Sequence, residues 1–482
     1  AEGINHNYDF EKIAGKSLLE ISRATGVLQT IPPLYDSTIS RRRLVKPIAN
    51  NLYLHFPIVL KGNSNHTFPR PDQDNYKQLL SEINAIEKQD LNLENQHIRM
   101  ANIIKVWNVL VHFYPYFDLV EVDWDQQFMD AVNRNESDTS KEDHITTLKL
   151  MIEPLRDSHM GVYQQEAKYF LPIKWDVFEN RLIVIKVLDG SILKLDRGAE
   201  ITEINGKPWE DYWDAAYSRA LGATKTRKHN RAIKESLSGK PGSKITFRFI
   251  SSGEEGTVTL ERNIEESDYE VINEGKTKTY FEIRPNIFYA DLTSLSWKKL
   301  KENLQELERA EGIIFDLRGY PTWGIDRILA HMTRDTIEKV QMSVPIAAYP
   351  DRELLTFKKI ENSPIIPEQP YLKAKKIFIT DANAMSYSET LLNPVTHYNL
   401  AEIIGEQTAG STGNTNTIFL LGGITIPWTG MKVLDQKGNT FQGIGIRPDI
   451  KIDKNIENIY SKNDQYLDLA IKRLSLTEIL EE

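Results

Sequence analysis

The sequence predicts a multidomain α/β protein whose C-terminal half is a layered core around a mostly parallel sheet. Three observations support this fold class. The chain has 482 residues, 40% of them hydrophobic, which suffices for about two to four domains with their own cores. From about residue 280 onward, apolar runs alternate with helical patterns, as in strand-helix-strand units. Before that region lie apolar residues at helical spacing and then alternating β patterns.

Composition excludes several classes of function. The chain contains no Cys, which excludes disulfides, Cys-ligated metals and thiol catalysis, and we expect no cofactor or metal. The net charge is -9 and the densest basic cluster is only Arg41-Arg42-Arg43, so nucleic acid is not expected as a partner. No apolar run approaches the roughly 20 residues that span a bilayer, so no transmembrane segment is expected. A start at Ala1, without Met or signal peptide, is typical of a processed or trimmed product.

Four segments are predicted in chain order. Residues 1–92 mix strand-like runs with polar loops and form an accessory N-terminal region without evident chemistry. Residues 93–168 are helical, because their apolar residues recur at helical spacing. Residues 169–265 form a separate β module with a helical insertion near 212–238. Residues 266–482 form the α/β core, in which ligands are expected beyond the carboxyl ends of the strands.

Ser386 is the candidate nucleophile of this core. It follows the apolar run 377–379 and precedes a predicted helix, so it lies at a strand-turn-helix junction. A Ser in this position is held at the rim of a sheet, beside helix N–H groups that can bind developing negative charge. Two alternatives stay open here. Ser386 could be an ordinary N-cap, or the nucleophile could be Ser388, two residues into the helix.

Four motifs occur together and in order, namely Leu155–Val162, Gly312–Pro321, Ser386–Glu389 and Ile404–Gly410. They resemble motifs of the tail-specific, or C-terminal processing, serine proteases, and more closely those of the tricorn-like branch. The resemblance extends from about Ile103 to Ile452. It implies a protease core that hydrolyses polypeptides, C-terminal tails among them. It also implies that residues 169–265 are a PDZ-like module, and that the protein is exported to the periplasm or cell surface.

His159 is the predicted base, within Asp157-Ser158-His159. One branch of the family uses a Lys 25 residues after the serine, but that position here is Ser411, and residues 377–431 contain no Lys or Arg. The Asp-Ser-His motif falls where the tricorn-like branch carries its Ser-His pair, although a purely structural His159 stays open. We expect Ser411→Ala to leave turnover nearly unchanged. The rate should rise with pH through an apparent pKa of about 6–7.

The third triad member departs from the family pattern. In the tricorn-like branch a Glu orients the His, and the matching position here is Gln442. A Gln can hold an imidazole tautomer through its carbonyl but cannot stabilise imidazolium with a charge. By analogy with other triads, loss of the carboxylate at this position could lower the rate by up to ~10⁴-fold. The carboxylates of Asp157, Asp435 and Asp449 are alternatives.

The oxyanion site also departs from the pattern. One donor should be the backbone N–H of Tyr387, directly after the nucleophile. The second should come from the turn where the family has Asn-x-Gly-Gly and this chain has Tyr320-Pro321-Thr322-Trp323, which makes Thr322 and Trp323 the candidates. Gly adopts positive φ more readily than these residues. Glu389 is expected to anchor the start of the helix.

Three functions are compatible with these residues. The first is a serine endopeptidase, favoured by Ser386 together with His159. The second is a catalytically impaired peptide-binding protein on the same scaffold, favoured by Gln442 and by Thr322-Trp323. The third, a carbohydrate- or lipid-active hydrolase, rests only on a reactive Ser, and the PDZ-like module argues against it.

Overall fold

The computed structural model describes residues 21–23, 43–49, 51–57, 72–86, 91–164, 166–190, 192, 195–269, 278–346, 355–456 and 464–475. The chain divides into two compact units. One unit contains residues 1–151, 343–360 and 414–432, and the other contains residues 152–342, 361–413 and 433–482. The predicted β module and most of the predicted α/β core therefore belong to one unit, whereas residues 343–360 and 414–432 of that core belong to the other.

The strands are numbered in chain order. They are β1 (Ile21–Arg23), β2 (Arg43–Ala49), β3 (Leu52–Pro57), β4 (Tyr169–Phe170), β5 (Ile173–Phe178), β6 (Arg181–Val187), β7 (Glu200–Ile204), β8 (Lys207–Pro208), β9 (Ser238–Gly239), β10 (Lys244–Ser251), β11 (Glu254–Glu261), β12 (Ile264–Glu265), β13 (Tyr280–Arg284), β14 (Ile287–Asp291), β15 (Gly312–Leu317), β16 (Gln341–Ile346), β17 (Thr356–Ile360), β18 (Lys375–Thr380), β19 (Glu402–Gly405), β20 (Thr415–Leu420), β21 (Ile424–Thr429), β22 (Lys432–Leu434) and β23 (Ile450–Lys451).

The α-helices are α1 (Gln73–Ile86), α2 (Gln96–Phe113), α3 (Trp124–Ser137), α4 (Lys141–Ile152), α5 (Trp209–Arg219), α6 (Lys225–Leu237), α7 (Trp297–Glu302), α8 (Leu304–Glu308), α9 (Tyr387–His397) and α10 (Gln465–Ser475). Within the described ranges, no helix combines the length and apolarity needed to cross a membrane. Four helices begin at residues with extended backbone whose side chains accept a helix N–H, namely Asn95, Asp123, Thr224 and Ser296.

In the first unit, helix α2 is fastened to the hairpin of β20 and β21 by polar side chains. The Asn102 amide accepts a hydrogen bond from Leu421 N at 2.9 Å and donates one to Leu421 O at 3.0 Å. Lys105 Nζ donates to Phe419 O at 2.6 Å. Strand β1 adds to β20 in the antiparallel sense, which makes a three-stranded sheet.

In the second unit, residues 173–261 form an antiparallel sheet of their own. Its strand order is β11-β10-β7-β6-β5, and none of these strands joins the main sheet of the core. One face is filled by a hydrophobic cluster that includes Trp175, Phe247 and Leu260. Helices α5 and α6 fall where the helical insertion is expected. The PDZ-like identity of this module stays a prediction.

The main sheet of the second unit has the strand order β13-β14-β15-β18-β19-β23. Every pairing after the first is parallel, and only β13 runs antiparallel to its neighbour. The expectation of a mostly parallel sheet is confirmed for this sheet. Because the sheets around β10 and β20 are antiparallel, the chain as a whole is a mixed α/β protein.

Both faces of the main sheet are buried, which explains why its strands are continuous apolar runs. In β15, Ile313 and Phe315 pack into the same cluster as Leu391 of α9. Ile314, between them in sequence, points to the opposite face and packs into the same cluster as Ala470 of α10. Helices on both faces leave the carboxyl ends of the strands as the open edge of this layer.

We predict that Gly405→Ala lowers the free energy of unfolding by about 2–4 kcal/mol. Gly405 ends β19 with φ of +123°, and an added Cβ would fall on the carbonyl oxygen of Thr380. Denaturant unfolding measures the change. The matched control is Gly190→Ala, because a Cβ at Gly190 meets no atom within 4 Å. Equal stability of the two variants would contradict the prediction.

Candidate active site

The backbone of Ser386 is strained. The residue lies between β18 and α9 with φ of +57° and ψ of -103°, whereas N-cap residues ordinarily have extended backbone. The caps of α2, α3, α6 and α7 all follow the ordinary pattern. A non-Gly residue holds such a conformation only where its surroundings enforce it, and a strained strand-to-helix turn exposes a nucleophilic Ser in other hydrolase folds. Ser386 also forms a capping box with Glu389, so the structure is compatible with the N-cap alternative as well as with an exposed nucleophile.

The carboxylate of Glu389 enforces this turn. Its side chain is fully buried, and burial raises its pKa while the hydrogen bonds that it accepts oppose that rise. Five donors converge on its two oxygens: Ser386 N at 3.2 Å, Gly410 N at 2.6 Å, Ser411 N at 3.0 Å, and the hydroxyls of Thr408 and Thr412. Glu389 thereby joins the Ser386 turn to the segment 408–412.

Ser411 links the Ser386 turn to the Asp-Ser-His motif. Its carbonyl accepts from Ser386 N at 3.0 Å, and its hydroxyl oxygen accepts from Ser158 N at 2.8 Å. Covalent geometry therefore keeps Ser386 N and Ser158 N within roughly 10 Å of each other. The residue in the family's Lys position thus brings together the two segments that carry Ser386 and His159.

The segment around Ser158 is held from two sides. The Ser158 hydroxyl donates to Ala409 O at 2.6 Å and accepts from Ala223 N at 2.9 Å. From helix α6, Arg231 donates to Ser158 O at 2.7 Å and also to Met160 O. These contacts give Ser158 a positioning role, since its hydroxyl is used twice.

His159 is buried and has a carboxylate beside it. Asp157 Oδ1 accepts from His159 N at 2.9 Å and lies 3.8 Å from His159 Nδ1. Burial lowers the pKa of His159, the cations of Arg231 and Arg227 lower it further, and Asp157 acts in the opposite direction. With its pKa below 6.5, the imidazole is neutral near pH 7 and can accept a proton.

The candidates for the third triad member differ in position. Gln442 donates from Nε2 to the Ser411 hydroxyl at 3.0 Å, and its buried Oε1 has no hydrogen-bond partner among the described residues. Asp435 accepts N–H groups of its own turn, and Asp449 accepts the N–H of a residue of β19. Asp157 is thus the one of the three carboxylates that adjoins the imidazole.

Ser388 is not placed to react. Its side chain is fully buried and donates to Gly319 O at 2.8 Å. The Tyr387 N–H, in contrast, is the first of helix α9 and has no intrahelical acceptor, as the predicted oxyanion donor requires. The Thr322 N–H already donates to Leu292 O at 2.9 Å, so Thr322 is not available as the second backbone donor in this structure.

Sequence reasoning missed three residues near Ser386 and His159. Arg227 and Arg231 lie one turn apart on α6, and Arg227 donates to Asn383 Oδ1 in the Ser386 turn at 2.9 Å. Burial, with the neighbouring Arg231, lowers the pKa of Arg227 to about 10. Tyr320 is the third, because its ring packs beside the ring of Tyr387, the residue after Ser386, with centroids 6.1 Å apart. The i, i+4 spacing of the arginines was the only available signal, and it is common on exposed helices.

Comparison with known proteins supports the family resemblance of the core. Residues 286–452 match the sequence model of peptidase family S41, so the resemblance to the C-terminal processing proteases is confirmed for this stretch. No curated protein matches the chain.

The chain is similar to several solved structures. Mature CPAF complexed with lactacystin superposes with a TM-score of 0.64 at 14% identity, covering 79% of this chain and 98% of that chain. A putative peptidase from Parabacteroides merdae gives 0.47 at 15% identity, covering 79% and 96%. The tricorn protease gives 0.38 at 16% identity, covering 80% and 37%. At this identity, the likeness to CPAF shows a shared fold.

We predict that Ser411→Ala lowers the free energy of unfolding by about 1–3 kcal/mol. The substitution leaves the buried Ser158 N–H and the Gln442 side-chain amide without their acceptor. Thermal and denaturant unfolding measure the effect. Ser218→Ala is the control, because its exposed hydroxyl only bonds within its own helix. A Ser411→Ala protein as stable as Ser218→Ala would contradict the role of the Ser411 hydroxyl as acceptor for Ser158 N and Gln442.

Proposed function

We propose that the protein is a serine endopeptidase that hydrolyses polypeptides, with Ser386 as nucleophile and His159 as base. The observation that carries the proposal is the strained Ser386 backbone, tied through Ser411 to the segment of a buried histidine. The match of residues 286–452 to a peptidase family supports the same reaction class.

In the proposed reaction, His159 removes the proton from Ser386 Oγ as the oxygen attacks the carbonyl carbon of the scissile bond. The carbonyl π electrons move to its oxygen, which becomes the oxyanion. When the C–N bond breaks, the amine leaves with the proton from His159. Water then repeats the sequence on the acyl-enzyme and releases the second product. The Tyr387 N–H is the first oxyanion donor, and of the two donors predicted in the facing turn, Thr322 and Trp323, the Trp323 N–H is the one that remains.

Asp157 fits the role of orienting the histidine better than the expected Gln442. It carries a charge, and its Oδ1 lies 3.8 Å from the Nδ1 atom of His159. A charged partner stabilises the imidazolium that forms during attack, whereas the Gln442 amide supplies no charge. Gln442 then acts through Ser411, whose hydroxyl it contacts.

The separate antiparallel sheet supports a polypeptide substrate. Its outermost strands, β5 and β11, each pair on one side only within this sheet. An extended peptide can add to such an edge by main-chain hydrogen bonds, which is how PDZ modules capture C-terminal tails. The resemblance to exported proteases supports a location in the periplasm or at the cell surface.

A peptide-binding protein without turnover is the second candidate. Two observations favour it. The Thr322 N–H is occupied, and Gln442 replaces the carboxylate expected in the tricorn-like branch. The reactivity of Ser386 separates the two functions.

We expect a fluorophosphonate probe to label the wild-type protein, with the adduct on Ser386 and not on Ser388 by mass spectrometry. Ser386→Ala and His159→Ala should each remove nearly all peptide hydrolysis, and the double variant should be little worse, because the pair acts as a unit. A wild type that binds peptides but neither reacts with the probe nor cleaves any peptide would favour the second candidate.

We expect kcat/KM to rise with pH through a midpoint below 6.5, because burial and two arginines lower the pKa of His159 and only the neutral base accepts a proton. This midpoint is lower than the apparent pKa of about 6–7 expected from the sequence. In Asp157→Asn the midpoint should fall further, because the group that raises this pKa loses its charge. A midpoint that stays unchanged in Asp157→Asn but moves in Gln442→Ala would assign the orienting role to Gln442.

A further inference from the structure

The turn after β15 that contains Trp323 is fixed to the protein at both of its ends. On one side, Thr322 donates from its N–H and from its hydroxyl to two carbonyls of the segment 292–295, at 2.9 and 2.6 Å. On the other side, Gly324 N donates to the Tyr387 hydroxyl at 3.0 Å. The backbone is therefore held in place immediately before and after the tryptophan.

Trp323 projects from this fixed backbone into solvent. The residue is 80% exposed, which is more than any other large hydrophobic residue in the described ranges. Tryptophan is highly buried on average, so a ring left in water at this position is unusual. Because the backbone on both sides is hydrogen-bonded, the exposure of the ring is a property of the folded turn.

Two tyrosine rings extend this surface toward Ser386. The centroid of the Tyr387 ring lies 5.5 Å from that of Trp323 and 6.1 Å from that of Tyr320. These separations are typical of aromatic rings in contact. Tyr320 is itself 54% exposed. Trp323, Tyr387 and Tyr320 therefore form one open group of rings, which we call the aromatic surface.

The position of the aromatic surface determines what can cover it. Tyr387 directly follows Ser386, so covalent geometry and the ring contact place the Trp323 ring within roughly 13 Å of the Ser386 Cα atom. An extended peptide advances about 3.3–3.6 Å per residue. A side chain within about four residues of the bond that Ser386 attacks can therefore reach these rings.

The charges beside the aromatic surface are already compensated. The Asp326 carboxylate accepts the Tyr387 hydroxyl and lies 3.7 Å from Lys339 Nζ. A side chain that covers the rings therefore gains most from its apolar area and from ring contacts. A cationic side chain would also be attracted to the ring faces, but it would have to compete with Lys339 for the carboxylate.

We propose that the aromatic surface is a substrate subsite, which selects a large apolar or aromatic side chain of the polypeptide near the scissile bond. The proposal rests on the proposed function, because it requires that peptides bind beside Ser386. The family pattern has glycines where this chain has Thr322 and Trp323, so the subsite belongs to this chain's own version of the turn. Because the turn is already fixed, binding requires little ordering of its backbone.

Trp323→Ala tests the subsite, because it removes the ring and keeps the backbone N–H. The substrates are quenched fluorescent peptides with Phe or Ala placed in turn at each position around the scissile bond. We expect the wild-type kcat/KM to be about tenfold higher for Phe than for Ala at one position, and only about twofold higher in Trp323→Ala. Trp323→Phe should retain most of the preference. A merely structural role would lower kcat/KM for both peptides by the same factor.

Tyr76→Ala is the matched control, since Tyr76 is an exposed aromatic residue of helix α1 and belongs to the other unit. Its ratio of kcat/KM for the Phe and Ala peptides should equal that of the wild type. An active wild type without a preference for Phe, or with one that Trp323→Ala leaves intact, would overturn the subsite and leave Ser386 and His159 in place. A preference for Lys that Trp323→Ala abolishes would overturn the apolar specificity. A wild type that neither cleaves peptides nor reacts with a fluorophosphonate probe would overturn the proposed function and this inference together.

Discussion

The candidate site depends on one buried carboxylate, that of Glu389. Burying an ionised carboxylate costs several kcal/mol unless donors surround it, and here five donors do so. Three of them are backbone N–H groups, so the carboxylate fixes the path of the main chain and not only side-chain rotamers. The strained turn at Ser386 persists because these bonds leave its backbone no relaxed alternative.

This chain has Ser411 where one branch of the family carries a Lys, and the difference changes what this segment does. A lysine here would act as the base and would have to be desolvated to lose its proton near pH 7. Ser411 instead accepts from Ser158 N and bonds Gln442, so the segment supports the motif that carries His159. The proposed base therefore comes from a motif far away along the chain. An imidazole needs little tuning to work near neutral pH, which makes this exchange chemically reasonable.

The inserted β module contributes to the candidate site. Helix α6, which lies between β7 and β10 of that module, places Arg231 on the carbonyls around His159 and Arg227 on Asn383 of the Ser386 turn. Burial disfavours protonation of the His159 imidazole, Arg231 and Arg227 disfavour it further, and Asp157 opposes them. The basicity of His159 is therefore a balance between its burial and charges from different segments, and the core alone does not determine it.

The sequence by itself determined the layered core and the separate β module, because local periodicity predicts strands and helices. It also determined the residues with reactive chemistry. Ser386 was recognisable from the apolar run before it, and the missing lysine was visible from position 411 alone. Only the tertiary structure decided which groups face one another. It showed the Thr322 N–H already bonded to Leu292, Asp157 beside the imidazole, Gln442 on Ser411, and Tyr320 beside Tyr387. These pairings join residues far apart in sequence, and the direction of a single hydrogen bond follows from backbone packing that no local pattern encodes.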